Sequence, residues 1–339
     1  MFGAAQRADQ LCEVNERSLV IAGHAIRLRF AGAALVEALT KAFAHVASSI
    51  LPDADLDIFV SDCETTGVPF PAPPWEAEWR VRRTEKQQRP MLHFEDGRFV
   101  GVYEPRSCLL SLLDTEKSRA VWWVPKRDQI PPYEHSAPFR SILHWWMREQ
   151  GLQTVHAGAV GNHTVGVLLV GRAGSGKSTT ALAAVESGLR YLGDDYVLVQ
   201  DQPVPKAWGL YRTGKLTRAD VRAFPHLAES VSELMAADGE KTILFLNRDS
   251  LPRPGDELVI GAILVPTQTK GSRTRLAAIS ASRCLSAMAP STMLQLRGAG
   301  RRDFENLARL VRQVPCFRLE LGSDKREVQK AVLDVLATL

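Results

Sequence analysis

Val165-Gly166-Val167-Leu168-Leu169-Val170-Gly171-Arg172-Ala173-Gly174-Ser175-Gly176-Lys177-Ser178-Thr179 is the stretch on which the reading of this chain turns. An apolar, strand-like run ends at Gly171, and a helix-forming run, Thr180-Ala181-Leu182-Ala183-Ala184-Val185, follows Thr179. Between them Gly171, Gly176, Lys177 and Ser178 satisfy G-x-x-x-x-G-K-[ST], a phosphate-binding loop. Each residue type has a physical task. Glycines let backbone N–H groups curl around a polyphosphate, and the N-terminus of the following helix adds positive potential. A lysine at position 177 reaches the outer phosphates, and a serine hydroxyl at 178 is a ligand for Mg²⁺. Gly171–Thr179 is therefore expected to hold a nucleoside triphosphate with Mg²⁺.

Working outward, the strand after this helix ends in Gly193-Asp194-Asp195. A carboxylate at the end of the strand beside such a loop is placed to bind the metal or to act as a base near the γ-phosphate. Adjacent residues of an extended strand point to opposite faces, but a turn at Gly193 brings both aspartates to one edge. On the other side, His156 sits among small apolar residues in Val155-His156-Ala157-Gly158-Ala159-Val160, where a lone histidine is ordinarily a core residue.

His-Ala-Gly-Ala-Val-Gly from His156, then a hairpin, the loop, a short helix and Tyr191-Leu192-Gly193-Asp194-Asp195-Tyr196-Val197-Leu198-Val199 together resemble the catalytic domain of HPr kinase/phosphorylase. That family is related in fold to phosphoenolpyruvate carboxykinase. His156 precedes Gly171 by fifteen residues, and Asp194 and Asp195 follow Lys177 by seventeen and eighteen, which are the family's intervals. The resemblance covers roughly residues 150 to 290. It implies an α/β fold with a kinase core of that type. It also implies roles: Lys177 on the β- and γ-phosphates, Ser178 and Asp194 at the metal, Asp195 as base for a seryl hydroxyl, and His156 tuning the acidic pair. Arg273 and Arg275, in Lys270-Gly271-Ser272-Arg273-Thr274-Arg275, resemble the family's basic loop and are candidates for substrate or phosphate contact, the alternative being a solvated basic turn. The family's Glu metal ligand has no counterpart, since Trp208–Lys215 holds no acid, and this weighs against a reverse, phosphate-removing activity. Likeness to peptide-tailoring members of the family points to a peptide or protein substrate with a serine acceptor. A small-metabolite hydroxyl kinase and a nucleotide-binding regulatory module remain alternatives. Family members form oligomers, which leaves a homo-oligomer open.

The chain has 339 residues, 45% of them hydrophobic and 24% charged, with a net charge of +4. The basic residues are scattered, so no nucleic-acid partner is expected. Five widely spaced cysteines form no C-x-x-C pair, and no apolar run is long enough to span a bilayer, so a cytoplasmic protein is expected without a membrane partner. Two domains are expected: residues 1–130, an α+β module of meandering strands that holds a substrate or partner or only completes the fold, and 131–339, the catalytic domain. In the first, Met1 to Arg17 is expected to be frayed, Ala33 to Ser49 helical, and Thr65 to Pro90 a long surface loop with one strand near Trp79 to Arg82. In the second, helices are expected after Ser136, over Arg283–Met288, Arg301–Val314 and Glu327–Leu339, with Trp145 and Trp146 serving packing.

Overall fold

The computed structural model describes residues 1–48, 53–69, 80–84, 87–217, 231–236, 241–246, 257–269, 271 and 273–339; for 80–84, 87–92 and 231–236 it describes the backbone alone. The chain is mixed α/β and divides into two compact units, Met1–Gln150 and Gly151–Leu339. The boundary thus falls after Gln150, not at 130. The reason is the helix Arg140–Glu149, whose Ile142, Leu143, Trp145, Trp146 and Met147 are buried, with Trp146 edge-on to His24 at 5.3 Å within the first unit. Both tryptophans serve packing, as expected.

The first unit is built on one sheet. Its strands are β1 (Val14–Ile21), β2 (His24–Ala31), β3 (Ala47–Ser48), β4 (Leu56–Asp62), β5 (Arg80–Thr84), β6 (Gln87–Glu95), β7 (Phe99–Glu104), β8 (Leu109–Asp114) and β9 (Arg119–Val124). They lie in the order β3-β1-β2-β4-β9-β8-β7-β6-β5, and the run from β5 to β9 is an antiparallel meander. Three local expectations fail here. Phe2–Leu11 is a helix (α1), because Ala5 and Ala8 are small enough to seat it, Arg29 pairs with Asp9 at 3.3 Å, and the Arg119 guanidinium lies 4.1 Å from the Phe2 ring centre. The helix expected over Ala33–Ser49 shrinks to α2 (Val36–Thr40) and one tight turn, where the Thr40 hydroxyl bonds back to Val36 O. Part of the expected loop 65–90 lies outside the described residues; the strand expected near Trp79 to Arg82 is found as β5, whereas Gln87–Pro90, expected in the loop, belongs to β6.

Ser136 does not cap the next long helix. It ends a short one, α4 (Pro132–Ser136), which follows α3 (Cys63–Thr66); α5 (Arg140–Glu149) starts after Phe139.

In the second unit a mixed sheet runs β10 (Gln153–Val155), β14 (Val197–Gln200), β15 (Lys206–Gly209), β19 (Glu257–Gln268), β12 (Val165–Val170), β11 (Ala157–Gly161), β13 (Arg190–Gly193). On the other side of β19's C-terminal half lie β21 (Cys316–Leu321) and, at the edge, β20 (Arg275–Ala278). β12, β19 and β21 are parallel, so their carboxyl ends share one edge, where ligands gather in open α/β sheets. A small antiparallel sheet, β16 (Thr213–Thr217), β18 (Lys241–Leu246) and β17 (Val231–Ala236), completes the unit.

Alternation along β12 explains the layers. Val167 and Leu169 face a cluster containing α6 (Lys177–Glu186) and α9 (Lys325–Ala337); Leu168 and Val170 face one containing α7 (Ala281–Gln295) and α8 (Arg301–Gln313). A strand covered on both faces reads as a continuous apolar run, as Val165–Val170 does. On α8, Leu307, Leu310 and Val311 are buried while Phe304 is exposed.

Candidate functional site

The carboxyl end of β12 delivers Gly171, whose φ of +145° suits glycine, and a Cβ there would sit 2.9 Å from Ser175 Oγ. Gly176, at φ +104°, closes the loop against Leu321 of β21, and a side chain there would overlap the leucine. Arg172, Ala173 and Gly174 are exposed. Lys177 opens α6 and is only 6% exposed; its ammonium donates to Gly171 O at 2.7 Å and Arg172 O at 3.3 Å. Burial pulls its pKa down, against the charges of Asp194 and Asp195. The N–H groups of Lys177, Ser178 and Thr179 have no acceptor within the helix, as in any first turn, so the loop and helix end present donors together. Ser175 Oγ is buried without a hydrogen-bond partner among the described residues.

β13 ends at Gly193, and a bend follows that turns both aspartates toward this loop. Asp194 is 1% exposed. Its carboxylate lies beside the Ser178 hydroxyl and accepts, at 3.2 Å, from the Lys215 backbone N–H, while Oδ1 is buried with no hydrogen-bond partner among the described residues. Burial, then the neighbouring Asp195 charge, pushes the Asp194 carboxyl up. Asp195 goes the other way. Burial opposes its ionisation, but the Lys215 ammonium at 2.5 Å from Oδ2, helped by His156 and Lys177, holds it below the usual carboxylate range.

Residues 153–161 form two strands, not one. β10 pairs with β14, β11 pairs with β12 and β13, and His156 occupies the break between them. Its backbone N–H donates to Thr292 Oγ1 of α7 at 3.2 Å, and its ring lies 5.4 Å from that of Tyr196. Nε2 stands 3.9 Å from Asp195 Oδ1, within electrostatic reach but too long for a hydrogen bond. Tyr196 is fixed in turn by donating to Gln295 Oε1 at 2.8 Å and by an edge-on contact with Tyr211.

The structure therefore brings His156, Lys177, Ser178, Asp194 and Asp195 together beside the Gly171–Thr179 loop. Arg273 and Arg275 are not joined to this group by any described hydrogen bond or ion pair. Both are exposed, Arg275 heading β20 opposite Glu320, one residue from the Leu321 that touches Gly176; Lys270 and Ser272 lie outside the described residues. Lys215, Thr292, Tyr196 and Gln295 are the members that sequence reasoning missed. Lys215 carries no motif of its own, and Thr292 and Gln295 lie beyond Pro290, past the expected end of their helix.

Two oxygens, the Ser178 hydroxyl and the unpartnered Asp194 Oδ1, suit a hard cation. Among the described residues no group of three or more His, Cys, Asp or Glu gathers to hold a metal, which is compatible with Mg²⁺ because that ion keeps waters and takes phosphate oxygens. No helix among the described residues is long and apolar enough to cross a membrane. No protein-family model matches the chain, and no curated protein matches it.

Proposed function

We propose that this protein is a magnesium- and ATP-dependent phosphotransferase, with a core of the HPr kinase/phosphoenolpyruvate carboxykinase type. It moves the γ-phosphoryl group to a hydroxyl, most simply a serine of a peptide or protein. The observation that supports it is the meeting of a glycine loop and buried lysine with an aspartate pair and a histidine. The choice of a seryl acceptor rests on the likeness of these motifs and intervals to HPr kinase/phosphorylase.

In this reading the loop N–H groups and Lys177 bind the phosphates. Ser178 and Asp194 would hold Mg²⁺, which supplies charge neutralisation. Asp195 accepts the acceptor's proton as the new O–P bond forms; the bond from γ-phosphorus to the bridging oxygen breaks, and the diphosphate leaves with the electron pair. His156 adjusts Asp195 through space. The site must mainly position and neutralise, which is what these residues can do.

The engagement of Asp195 with Lys215 favours a second reading, a nucleotide-binding regulatory module. One experiment separates them: γ-labelled ATP with Mg²⁺ and a pool of serine peptides. Label on seryl oxygen, reduced roughly 10²- to 10⁴-fold in Asp195→Asn, is the expected result. Label reaching only water, with Asp195→Asn indistinguishable from wild type, sinks the kinase reading.

A further inference from the structure

We propose that Lys215 contacts the transferring phosphate, leaving the Asp195 carboxylate for the γ-phosphate when a triphosphate binds. The inference rests on the phosphotransferase reading and names a residue that the motifs do not contain. One residue of β16 holds both carboxylates: the Lys215 backbone N–H donates to Asp194 Oδ2 at 3.2 Å, and its ammonium lies 2.5 Å from Asp195 Oδ2. The two attachments differ in kind. The first belongs to a strand paired along β18 and stays put. The second sits at the end of a flexible four-carbon stem and can swing while the strand does not move.

Three considerations point to the exchange. Asp195 has one oxygen against Lys215 and the other 3.9 Å from His156 Nε2, so the lysine competes with an acceptor hydroxyl for this carboxylate until it turns away. A triphosphate brings more negative charge to a place that already holds two carboxylates, with the Lys177 ammonium also within electrostatic reach of both. A γ-phosphate offers a compact ammonium several charged oxygens, and lysine binds phosphate as a point charge. The pair is also reachable: the Lys215 and Asp195 side chains keep 21% and 19% exposure, whereas Lys177 is almost covered. Arrival of the γ-phosphate would then free the base in the same movement that secures the group to be transferred.

Equilibrium binding of ADP and of a non-hydrolysable triphosphate analogue, each with Mg²⁺, tests this on the intact chain. Lys215→Met should leave ADP affinity within about twofold of wild type and weaken the triphosphate about tenfold or more, the loss of one charge-assisted contact. Lys215→Arg should recover part of the triphosphate affinity. Lys177→Met should weaken both nucleotides. If Lys215→Met leaves the triphosphate as tight as wild type, or weakens both ligands equally, Lys215 is a structural counter-ion and the proposal is wrong. Should Lys215→Met not fold, Lys215→Met/Asp195→Asn compared with Asp195→Asn alone asks the same question without an uncompensated carboxylate. Wild type binding neither nucleotide overturns the phosphotransferase reading and this proposal together; wild type binding both, without triphosphate selectivity for Lys215, overturns only the proposal.

Discussion

Asp194 and Asp195 are adjacent and carry the same side chain, yet their surroundings drive them apart. Asp194 is buried, with its neighbour's charge beside it, and is held toward the protonated form; Asp195 has Lys215 against it and is held ionised. Separating two like groups in this way is how a site assigns different work to identical side chains. His156 owes its place to Thr292, which accepts its backbone N–H where β10 gives way to β11. Thr292→Val leaves that buried N–H without an acceptor and should cost about 1–3 kcal/mol, read as a lowered urea midpoint. It should also slow label transfer while Mg·ATP affinity stays near wild type; unchanged transfer would show that His156 needs no such hold. At this scale the site was legible wherever residues lie at fixed intervals from the loop. Lys215 was not, because it reaches Asp195 from a different sheet, and nothing local marks a lone lysine in Tyr211-Arg212-Thr213-Gly214-Lys215 as facing inward.

At the scale of elements, the strand β12, the loop and α6 behave as one piece wedged against β21. Gly176→Ala must both accept φ +104° and displace Leu321. It should destabilise the chain by more than about 1 kcal/mol and abolish nucleotide binding. Leu321→Ala added to it should restore part of the stability by relieving the overlap, but not the part due to backbone strain. Equal unfolding midpoints for wild type and Gly176→Ala would contradict the close approach. Strand β12 and helices α6, α8 and α9 were legible because burial on known faces imposes periodicity. α7 runs beyond Met288, where the sequence predicts its end, and passes through a proline. Pro290 removes one helical hydrogen bond, but buried Met288, Ser291 and Thr292 on both sides keep the helix going. α1 was invisible for the opposite reason: two alanines and two arginine contacts seat it, and neither makes a conspicuous apolar stripe.

For the molecule as a whole, the division after Gln150 allows the two units to be followed separately. Six of the seven tryptophans precede Gly151, so indole emission reports mainly the first unit. Two buried groups there make opposite demands on pH. His144 on α5 is wholly buried without a hydrogen-bond partner; burial, with Arg148 and Arg140 nearby, lowers its pKa to about 3. The unfolded chain therefore binds the extra proton below the ordinary histidine range, and stability is lost as pH falls from about 6.5 toward 3, by about 1.4 kcal/mol per unit at most. Glu134 accepts from Trp122 Nε1 and the Phe139 N–H, both at 3.0 Å; burial, opposed by Arg140 and reinforced by Glu104, raises it to about 7. Here the folded form keeps the proton longer, so stability declines as pH rises from about 4.5 to 7. His144→Phe should gain on wild type progressively as pH drops through its window, and Glu134→Gln progressively as pH climbs through its own. Indole-monitored urea unfolding between pH 3.5 and 8 checks both, and parallel curves for variants and wild type would refute both assignments. The division lies twenty residues beyond the expected one because the helix that follows Pro131-Pro132, Arg140–Glu149, is buried in the first unit.

The central claim is that Gly171–Thr179, with Lys177, receives the phosphates of a nucleotide. Calorimetric titration of the intact chain with Mg·ATP, beside Lys177→Ala, tests it without knowledge of the acceptor. Saturable binding to one site, weakened about tenfold or more in the variant, is the expected result. Binding that is absent in wild type, or identical in wild type and Lys177→Ala, would contradict the claim.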